Sequence, residues 1–371
     1  MNRLSSSNHC RKPACGLQSG SKLPHSKDNS RFPLFLFPFS VFLLLPILLT
    51  SCREPRSETP VNDEGRVVVE FWHGMGREQG EEVNRIAAQF NQMQDEYLIQ
   101  PVYQGAYDAL HQKLIASLYA SRNPAMAQMY PGWTVRFFRY GYLEPVENFV
   151  EKDPEFGQEE LNDYYPVMIE ENTLDHPGTG EPTLVTLPFN KSVYVLYINQ
   201  TRLDELGLEA PTTWEEFLHV AEEMTIRPEG GGKPSTYGFA SRPYIENLTV
   251  QALSAGSQLL DEETGEILVT SEPALAAFRF LQRLVSGEGE EEVGYVETDY
   301  LSSVFGSERI AMYISSTASF TYNDMAVGDK FIWRAYPVPD RDEQTNGKSL
   351  MQGTNIGIFD NVSEEEKAGA W

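Results

Sequence analysis

The chain has 371 residues, a formal net charge of −25 at pH 7 and a hydrophobic content of 41%. A chain this acidic lacks the basic surface that nucleic acid and anionic membranes require, so we exclude nucleic acid as a partner. The length and the apolar content are sufficient to build the core of one or two domains.

An uncharged apolar run covers residues 32–50, behind a basic flank. This layout is typical of a secretory signal peptide, although an apolar run of about 18 residues can also span a bilayer. The run ends in Leu-Thr-Ser-Cys, which resembles a bacterial lipobox, in which the cysteine carries a diacylglycerol. We predict a signal peptide with an extended leader over residues 1–51 and lipidation of Cys52. A single-pass anchor with a chance cysteine is the alternative.

Residues 1–51 carry six Lys/Arg and one acid, a net charge of +5, so the remaining 320 residues carry −30. Of the three cysteines, only Cys52 follows the leader. We therefore expect no disulfide, no cysteine metal site and no cofactor in the exported part. Residues 52–66 contain almost no apolar side chains and predict a flexible tether between lipid and domain.

Beyond the tether, predicted strands and helices alternate as β-α-β-α-β. The β-branched and aromatic residues from Val67 to Met75 predict a buried strand, and further strands end near Gly105 and before residue 130. The helices between them are marked by apolar residues at helical spacing: Val83, Ile86, Ala87, Phe90 and Met93 in the first, and Leu110, Leu114 and Leu118 in the second. This alternation is typical of a mainly parallel sheet, in which ligands bind at the carboxyl ends of the strands.

The middle of the chain continues as an α/β pattern. A strand covers residues 193–199, and Thr213 with Glu216 has the spacing of a capping box that opens a helix. Further helices are predicted from Ile245 to Ala255 and from about Pro273. Strands or hairpins are predicted over residues 236–241, 259–269, 309–320, 331–340 and 350–359.

Sequence signatures of enzymes are missing. The chain contains no G-x-S-x-G elbow, no P-loop and no H-E-x-x-H motif. The four histidines after the leader have no histidine or cysteine at ligand spacing, so we expect no metal site. Pairs of acidic residues are numerous, as a chain this acidic would carry on solvated faces, and none is marked as a glycosidase pair.

Aromatic and small polar residues are enriched at the predicted strand ends instead. Such a lining suits a sugar or polyol, because aromatic faces cover C–H surfaces while amides and hydroxyls bind the hydroxyl groups. The alternative is that these aromatics are ordinary core residues. The main candidates are Trp72, His73, Tyr107, Trp133, Trp214, Tyr244, Ser315, Ser316 and Gly353.

Several stretches carry a resemblance to a known family. The opening strand and helix, the segment "YQGAYDALHQKLIASL" and the segment "LPFNKSVYVLYINQTRLDELGLEAPTTWEEF" are similar to the substrate-binding lipoproteins of ABC importers, in the carbohydrate-uptake family 1. The segments "RIAMYISSTASF" and "QGTNIGIF" resemble a return crossing and a binding loop of that family. The likeness runs from Val67 to Trp371 and is greatest to members that bind glycerol 3-phosphate or glycerophosphodiesters.

The resemblance implies an α/β, periplasmic-binding-protein-like fold (type II) of two lobes, with the ligand held in the cleft between them. It places lobe 1 at residues 67–190, lobe 2 at residues 191–312 and a return segment of lobe 1 at residues 313–371. Motif by motif, it implies ligand contacts at Tyr107, Ser192, Trp214, Ser316 and Gly353.

Two departures from the family pattern stand out. Pro131, in "MYPGW", occupies the place of a glutamate that accepts a glycerol hydroxyl, which leaves a neutral sugar as open as glycerol phosphate. The chain ends at Trp371, at the start of a predicted amphipathic helix, so we expect a fragment rather than a shortened protein. An anionic ligand would need a local cation, and Arg242, just before a predicted helix, is our candidate phosphate contact.

These expectations describe a non-enzymatic, exported, lipid-anchored monomer. It captures a sugar or a glycerophosphoryl solute and delivers it to the permease subunits of an ABC importer. The two alternatives are an extracellular carbohydrate-active hydrolase, which would turn its ligand over, and a solute-sensing receptor domain.

Overall fold

A computed structural model describes residues 58–261, 264–286 and 292–371. The predicted leader and Cys52 lie outside these residues. Within them, no helix combines the length and the apolar character needed to cross a bilayer.

The described residues form twelve strands and thirteen α-helices in an α/β order, with a 3-10 turn at Thr317–Ser319. The strands are β1 Val67–His73, β2 Tyr97–Tyr103, β3 Met126–Met129, β4 Leu143–Glu144, β5 Thr173–Asp175, β6 Pro182–Leu184, β7 Leu187–Asn199, β8 Tyr237–Ser241, β9 Gly294–Val296, β10 Ile310–Ser316, β11 Trp333–Tyr336 and β12 Met351–Phe359. The helices are α1 Arg77–Met93, α2 Tyr107–Tyr119, α3 Pro131–Arg139, α4 Glu147–Val150, α5 Gln158–Leu161, α6 Pro166–Asn172, α7 Gln200–Glu205, α8 Trp214–Met224, α9 Ile245–Ser254, α10 Glu272–Val285, α11 Leu301–Gly306, α12 Phe320–Val327 and α13 Glu364–Ala370.

The first lobe is built on the predicted β-α-β-α-β unit. Strand β1 pairs in parallel with β2 on one side and β3 on the other, so the parallel sheet expected from the alternation is confirmed. Strand β12 returns late in the chain and pairs antiparallel with both β3 and β7. The carboxyl ends of β1, β2 and β3 therefore lie at one edge of the sheet, where their loops meet.

The second lobe has its own sheet. Strand β10 pairs antiparallel with β7 and in parallel with β8, which in turn pairs in parallel with β9. Strand β11 adds to β7 over the residues near Asn199.

Strand β7 belongs to both sheets and connects the lobes. Its first half, to Val193, pairs with β12 of lobe 1, and its second half, from Tyr194, pairs with β10 and β11 of lobe 2. The predicted return to lobe 1 at residue 313 is wrong, because residues 313–350 include β11 and the part of β10 that pairs with β7 in lobe 2. The chain re-enters lobe 1 with β12, at Met351.

Each lobe has its own apolar core. In lobe 1 the core lies between the sheet and helices α2 and α3, around Leu110, Met129 and Phe359. In lobe 2 one cluster packs α8 and α10 on the sheet, and a second surrounds Tyr313 on the other face. The two lobes are therefore packed separately, with β7 running from one to the other.

Two predictions about the start of the domain are corrected. Of the apolar stripe on α1, only Val83 and Ala87 are buried, whereas Met93 is 83% exposed. The predicted tether covers residues 52–66, and residues 60–66 of it are packed against lobe 1. Arg66 donates hydrogen bonds to the backbone oxygens of Asn91 and Gln94, and Val61 bridges to Val67.

The local signals of lobe 2 were easier to predict. The Thr213 hydroxyl accepts from the Glu216 N–H, and the Glu216 carboxylate accepts from the Thr213 N–H, so the predicted capping box is confirmed. The helix predicted from Ile245 is confirmed as well. The predicted hairpin over residues 259–269 is present as an antiparallel bridge between Leu260 and Ile267, and residues 262–263 lie outside the described part.

Candidate functional site

The part of the candidate site that belongs to lobe 1 is called the lobe 1 wall. It is built on a hydrogen-bonded network around Gln128, a fully buried residue of β3. Its Oε1 accepts from the Gly74 N–H at 2.8 Å, and its Nε2 donates to Thr354 Oγ1 at 2.8 Å and to Asn190 Oδ1 at 3.2 Å. The Thr354 hydroxyl also donates to Asn190 Oδ1. Because these residues come from the loop after β1 and from β3, β7 and β12, one amide fixes four segments of the lobe.

An aromatic row covers this floor. The ring of Tyr107, at the start of α2, lies 5.0 Å from that of Tyr130, and Tyr130 lies 5.3 Å from Trp133. Trp133 stacks on His111 with ring centroids 4.3 Å apart and planes 6° from parallel. The Asn190 amide lies 3.4 Å from the Tyr107 hydroxyl, which joins the aromatic row to the network. A flat ligand face can therefore rest on rings whose positions are fixed by packing.

The lobe 2 wall holds a polar cavity of about 310 Å³. It lies where β7, β10 and the start of α9 meet, and six of its lining residues are Tyr194, Arg242, Tyr244, Glu246, Asn247 and Ser315. The Asn247 amide donates to the Arg242 backbone oxygen at 2.9 Å and so fixes the turn that precedes α9.

Arg242 is held between aromatic rings rather than free in solvent. Its guanidinium carbon lies 4.3 Å from the centroid of Tyr244 and 5.1 Å from that of Tyr300. One Nη donates to the Tyr244 hydroxyl and, at 3.4 Å, to the Thr298 oxygen. Its Nε is buried and donates no hydrogen bond to the described residues. The Nη that lies beside the cavity is therefore already engaged by Tyr244 and Thr298, and the Nε without a partner is buried.

The two walls are close enough to influence each other. Burial raises the pKa of Tyr130 to about 12, with further increases from Tyr107 and from the carboxylates of Glu246 and Asp108. Burial likewise raises the pKa of Tyr194, on the crossing strand, to about 12, and Glu246 adds to this increase while Arg242 opposes it. Since Tyr130 belongs to lobe 1 and Glu246 to lobe 2, the space between them is a cleft bordered by both lobes.

Four predicted site residues, Tyr107, Trp133, Arg242 and Tyr244, border this cleft. Two others are core residues. Trp214 is 8% exposed, stacks on Phe280 at 4.3 Å and donates from its indole N–H to Ser254 Oγ at 3.1 Å. His73 is 2% exposed, and burial lowers its pKa, an effect that a hydrogen bond with the Met75 backbone opposes.

Ser315 lines the lobe 2 cavity, and the Trp72 indole N–H donates to the Glu70 carboxylate at 3.1 Å. Three further candidates lie on β7, β10 and β12. Ser192 is half-buried on β7, and the Ser316 backbone oxygen accepts from the Tyr197 hydroxyl at 2.8 Å. Gly353 has φ +123°, and a Cβ there would lie 2.0 Å from the Asn190 oxygen. Its lack of a side chain is what lets β12 approach β7 this closely.

Gln128, Tyr130, Asn190, Tyr194, Glu246 and Thr354 are site residues that sequence reasoning missed. Tyr130 follows a predicted strand directly and could have been included on that ground. No cluster of three or more His, Cys, Asp or Glu side chains in the described parts of the chain is arranged to hold a metal ion.

A search for related proteins identifies the family. The family described as bacterial extracellular solute-binding protein matches residues 85–371, which is most of the chain. The chain belongs to this family. The family resemblance expected from the sequence is thereby confirmed.

Solved structures of solute-binding proteins share the two-lobe fold of this family member. UgpB from Mycobacterium tuberculosis, in complex with glycerophosphocholine, is 18% identical with a TM-score of 0.66, over 82% of this chain and 73% of that one. The sugar-binding protein MalE from Xanthomonas citri is 20% identical with a TM-score of 0.67 over the same shares. At these identities the likeness shows the fold, and it confirms the predicted two-lobe class.

Curated relatives of this solute-binding protein match over part of its length. The sn-glycerol-3-phosphate-binding periplasmic protein UgpB of Yersinia pestis is 32% identical over 184 residues, which cover 49% of this chain and 40% of the relative. That of Salmonella typhimurium is 33% identical over 181 residues, 48% of this chain and 39% of the relative. The chain thus matches less than half the length of these relatives. They are binding proteins rather than enzymes, as the sequence predicts for this chain.

Proposed function

We propose that this protein is the substrate-binding component of an ABC importer. It captures a sugar or a glycerol-3-phosphate-type solute in the cleft and delivers it to the membrane permeases. The observation that carries the proposal is the pair of facing walls on two lobes joined by a shared strand. A ligand that touches both walls stabilises the closed arrangement, which a transporter can distinguish from the open one.

The first test is binding by the full chain. We expect one ligand among maltose, sn-glycerol 3-phosphate and glycerophosphocholine to bind with 1:1 stoichiometry in calorimetry and to raise the melting temperature with concentration. Small-angle scattering with that ligand should show a smaller radius of gyration. Failure of all three to bind would contradict the proposal for these ligand classes. Release of product from glycosides would favour the hydrolase instead.

A matched pair of tyrosine variants localises the site. Tyr107→Ala removes an aromatic ring that borders the cleft. It should weaken binding at least about 10-fold, because the contact of the ring with the ligand and the hydrogen bond of its hydroxyl are together worth more than about 1 kcal/mol. Tyr140→Ala is the control, since Tyr140 is 73% exposed and lies at the end of α3, away from the cleft. Equal effects of the two variants would place the ligand elsewhere.

We also propose that the chain is exported and anchored by lipid at Cys52. The lipobox-like end of the apolar run supports this. Cys52→Ser should move the protein from the membrane fraction of expressing bacteria to the soluble fraction. Retention of the variant in the membrane would favour the single-pass anchor.

A further inference from the structure

The lobe 1 wall offers a ligand few free acceptors. The Gln128 and Asn190 oxygens already accept hydrogen bonds from Gly74, Gln128 and Thr354. The rest of this wall is the aromatic row and the carboxylate of Asp108 on α2. Each tyrosine of the row carries one hydroxyl, and the rings accept hydrogen bonds only weakly. When a polyhydroxylated ligand is buried, each of its O–H groups needs a hydrogen-bond acceptor. Stronger acceptors must therefore come from lobe 2.

Glu246 is placed to supply them. It lies in the first turn of α9, is half-buried, and lines the lobe 2 cavity beside Arg242 and Tyr244. Its carboxylate accepts no hydrogen bond and forms no ion pair within residues 58–261, 264–286 and 292–371. By contrast Glu297, near the same cavity, is saturated by the N–H groups of Thr298 and Asp299 and by the Tyr295 hydroxyl. Glu246 therefore carries an unused pair of acceptor oxygens that faces the cleft.

Resting on the proposed function, we infer that Glu246 is a specificity-determining residue, which accepts two neighbouring hydroxyls of an uncharged carbohydrate and disfavours a phosphate dianion. A carboxylate accepts vicinal O–H groups on its two oxygens, and such charge-assisted bonds are about twice as strong as neutral ones. The nearby Arg242 offsets part of the negative charge, but its guanidinium is already engaged by Tyr244 and Thr298.

Two charged groups in the described part of the chain act on the same tyrosines as Glu246. Arg242 lies on the turn before α9, and Asp108 on α2 acts with Glu246 on Tyr130. A dianion bound between these groups would meet two carboxylates and one arginine. An uncharged ligand avoids this repulsion and gains the hydroxyl contacts, so the cleft favours the uncharged ligand.

The test compares wild type with Glu246→Gln, which keeps the shape and one acceptor but removes the charge. Calorimetry at pH 7.5 would use maltose, glucose and sorbitol as neutral probes and sn-glycerol 3-phosphate as the anionic probe. We expect wild type to bind a neutral probe more tightly than the anion. The variant should bind that neutral probe about 10-fold more weakly and shift the neutral-to-anion affinity ratio towards the anion by more than 10-fold.

Glu215→Gln is the matched control, since Glu215 also lies in the first turn of a helix, α8, and does not line the cavity. It should leave the ratio unchanged, and neither variant should lower the melting temperature without ligand. A preference of wild type for the anion, or a ratio that Glu246→Gln leaves within 2-fold of wild type, would overturn the inference alone. Absence of binding to every probe would overturn it together with the proposed function.

Discussion

The two walls of the cleft are built in opposite ways. On lobe 1, Gln128, Asn190 and Thr354 satisfy one another, and the rings above them pack edge to face. On lobe 2, Arg242 and Glu246 keep polar atoms that bind no other described residue. Side chains that already satisfy one another lose little conformational freedom when a ligand binds. Polar groups without partners gain new hydrogen bonds from the ligand, so they contribute more to the binding free energy.

This difference suggests a division of labour. Lobe 1 offers a rigid surface for any ligand with a flat apolar face, and lobe 2 selects by charge and hydroxyl pattern. Four substitutions or titrations can break or sharpen the contrast.

The largest effect is expected in the lobe 2 core. Trp214→Ala should lower the free energy of unfolding by about 3–5 kcal/mol, because it removes a buried indole stacked on Phe280 and leaves a cavity. Urea unfolding measures this loss. Trp133→Ala, on the lobe 1 wall, should cost less stability and more ligand affinity. A Trp214 variant that folds normally but fails to bind would return Trp214 to the ligand site.

The crossing between β12 and β7 comes next. Gly353→Ala should cost about 3 kcal/mol of unfolding free energy, because the methyl group would overlap the Asn190 oxygen and φ is +123°. Gly180→Ala is the control, with φ +73° and nothing within 4 Å of the added Cβ, so it meets backbone strain alone. Equal losses for the two variants in chemical denaturation would show that close approach at Gly353 is unimportant.

Two buried glutamines test the network directly. Gln128→Leu should cost about 2 kcal/mol, because the Gly74 N–H and the Asn190 and Thr354 side chains lose a partner. Gln251, 2% exposed on α9 of lobe 2, has an Oε1 that accepts no bond from the described residues. Gln251→Leu should therefore be nearly neutral. Thermal and urea unfolding measure the loss of unfolding free energy in each variant. Equal losses in the two variants would contradict the proposed difference between the walls.

The smallest expected effect is a pH dependence of folding stability, which arises from two histidines of lobe 1. Burial lowers the pKa of His73, and burial together with Arg136 lowers that of His111, so folding favours their neutral forms. Their contribution to stability is therefore complete above the ordinary value of 6.5 and is lost as the pH falls from there towards the lowered values.

Melting curves between pH 7.5 and 5 measure this loss. His111→Gln should flatten the decline, because it removes one of the two histidines whose pKa folding lowers. An unchanged decline in His111→Gln would show that the dependence arises from other groups.

The sequence was informative wherever a local pattern decides the structure. The β-α-β-α-β opening follows from apolar periodicity, and the box of Thr213 and Glu216 follows from spacing alone. The stripe on α1 was over-interpreted, since helical spacing cannot say how wide a face the sheet covers, and Ile86 is 50% exposed.

The cleft was only partly predictable, because its key contacts join residues far apart in the chain. Gln128 and Thr354 are 226 positions apart, and no local pattern marks a buried amide in an apolar strand. Trp214 was interpreted as a wall residue because its chemistry suits both a sugar and a core. Only the stacking on Phe280 distinguishes the two. The return to lobe 1 was placed too early because the pairing of β10 and β11 with β7 joins distant segments and is not visible in the local sequence.

Strand β7 has a practical consequence for engineering. Because its pairing passes from β12 at Val193 to β10 at the next residue, Tyr194, a protease or a designed cut there would have to open both sheets at once. The exposed turn at Gly180, between the short strands β5 and β6, offers a gentler place to divide the polypeptide. A split reporter that is cut at that turn would leave β7, the strand that joins the lobes, intact.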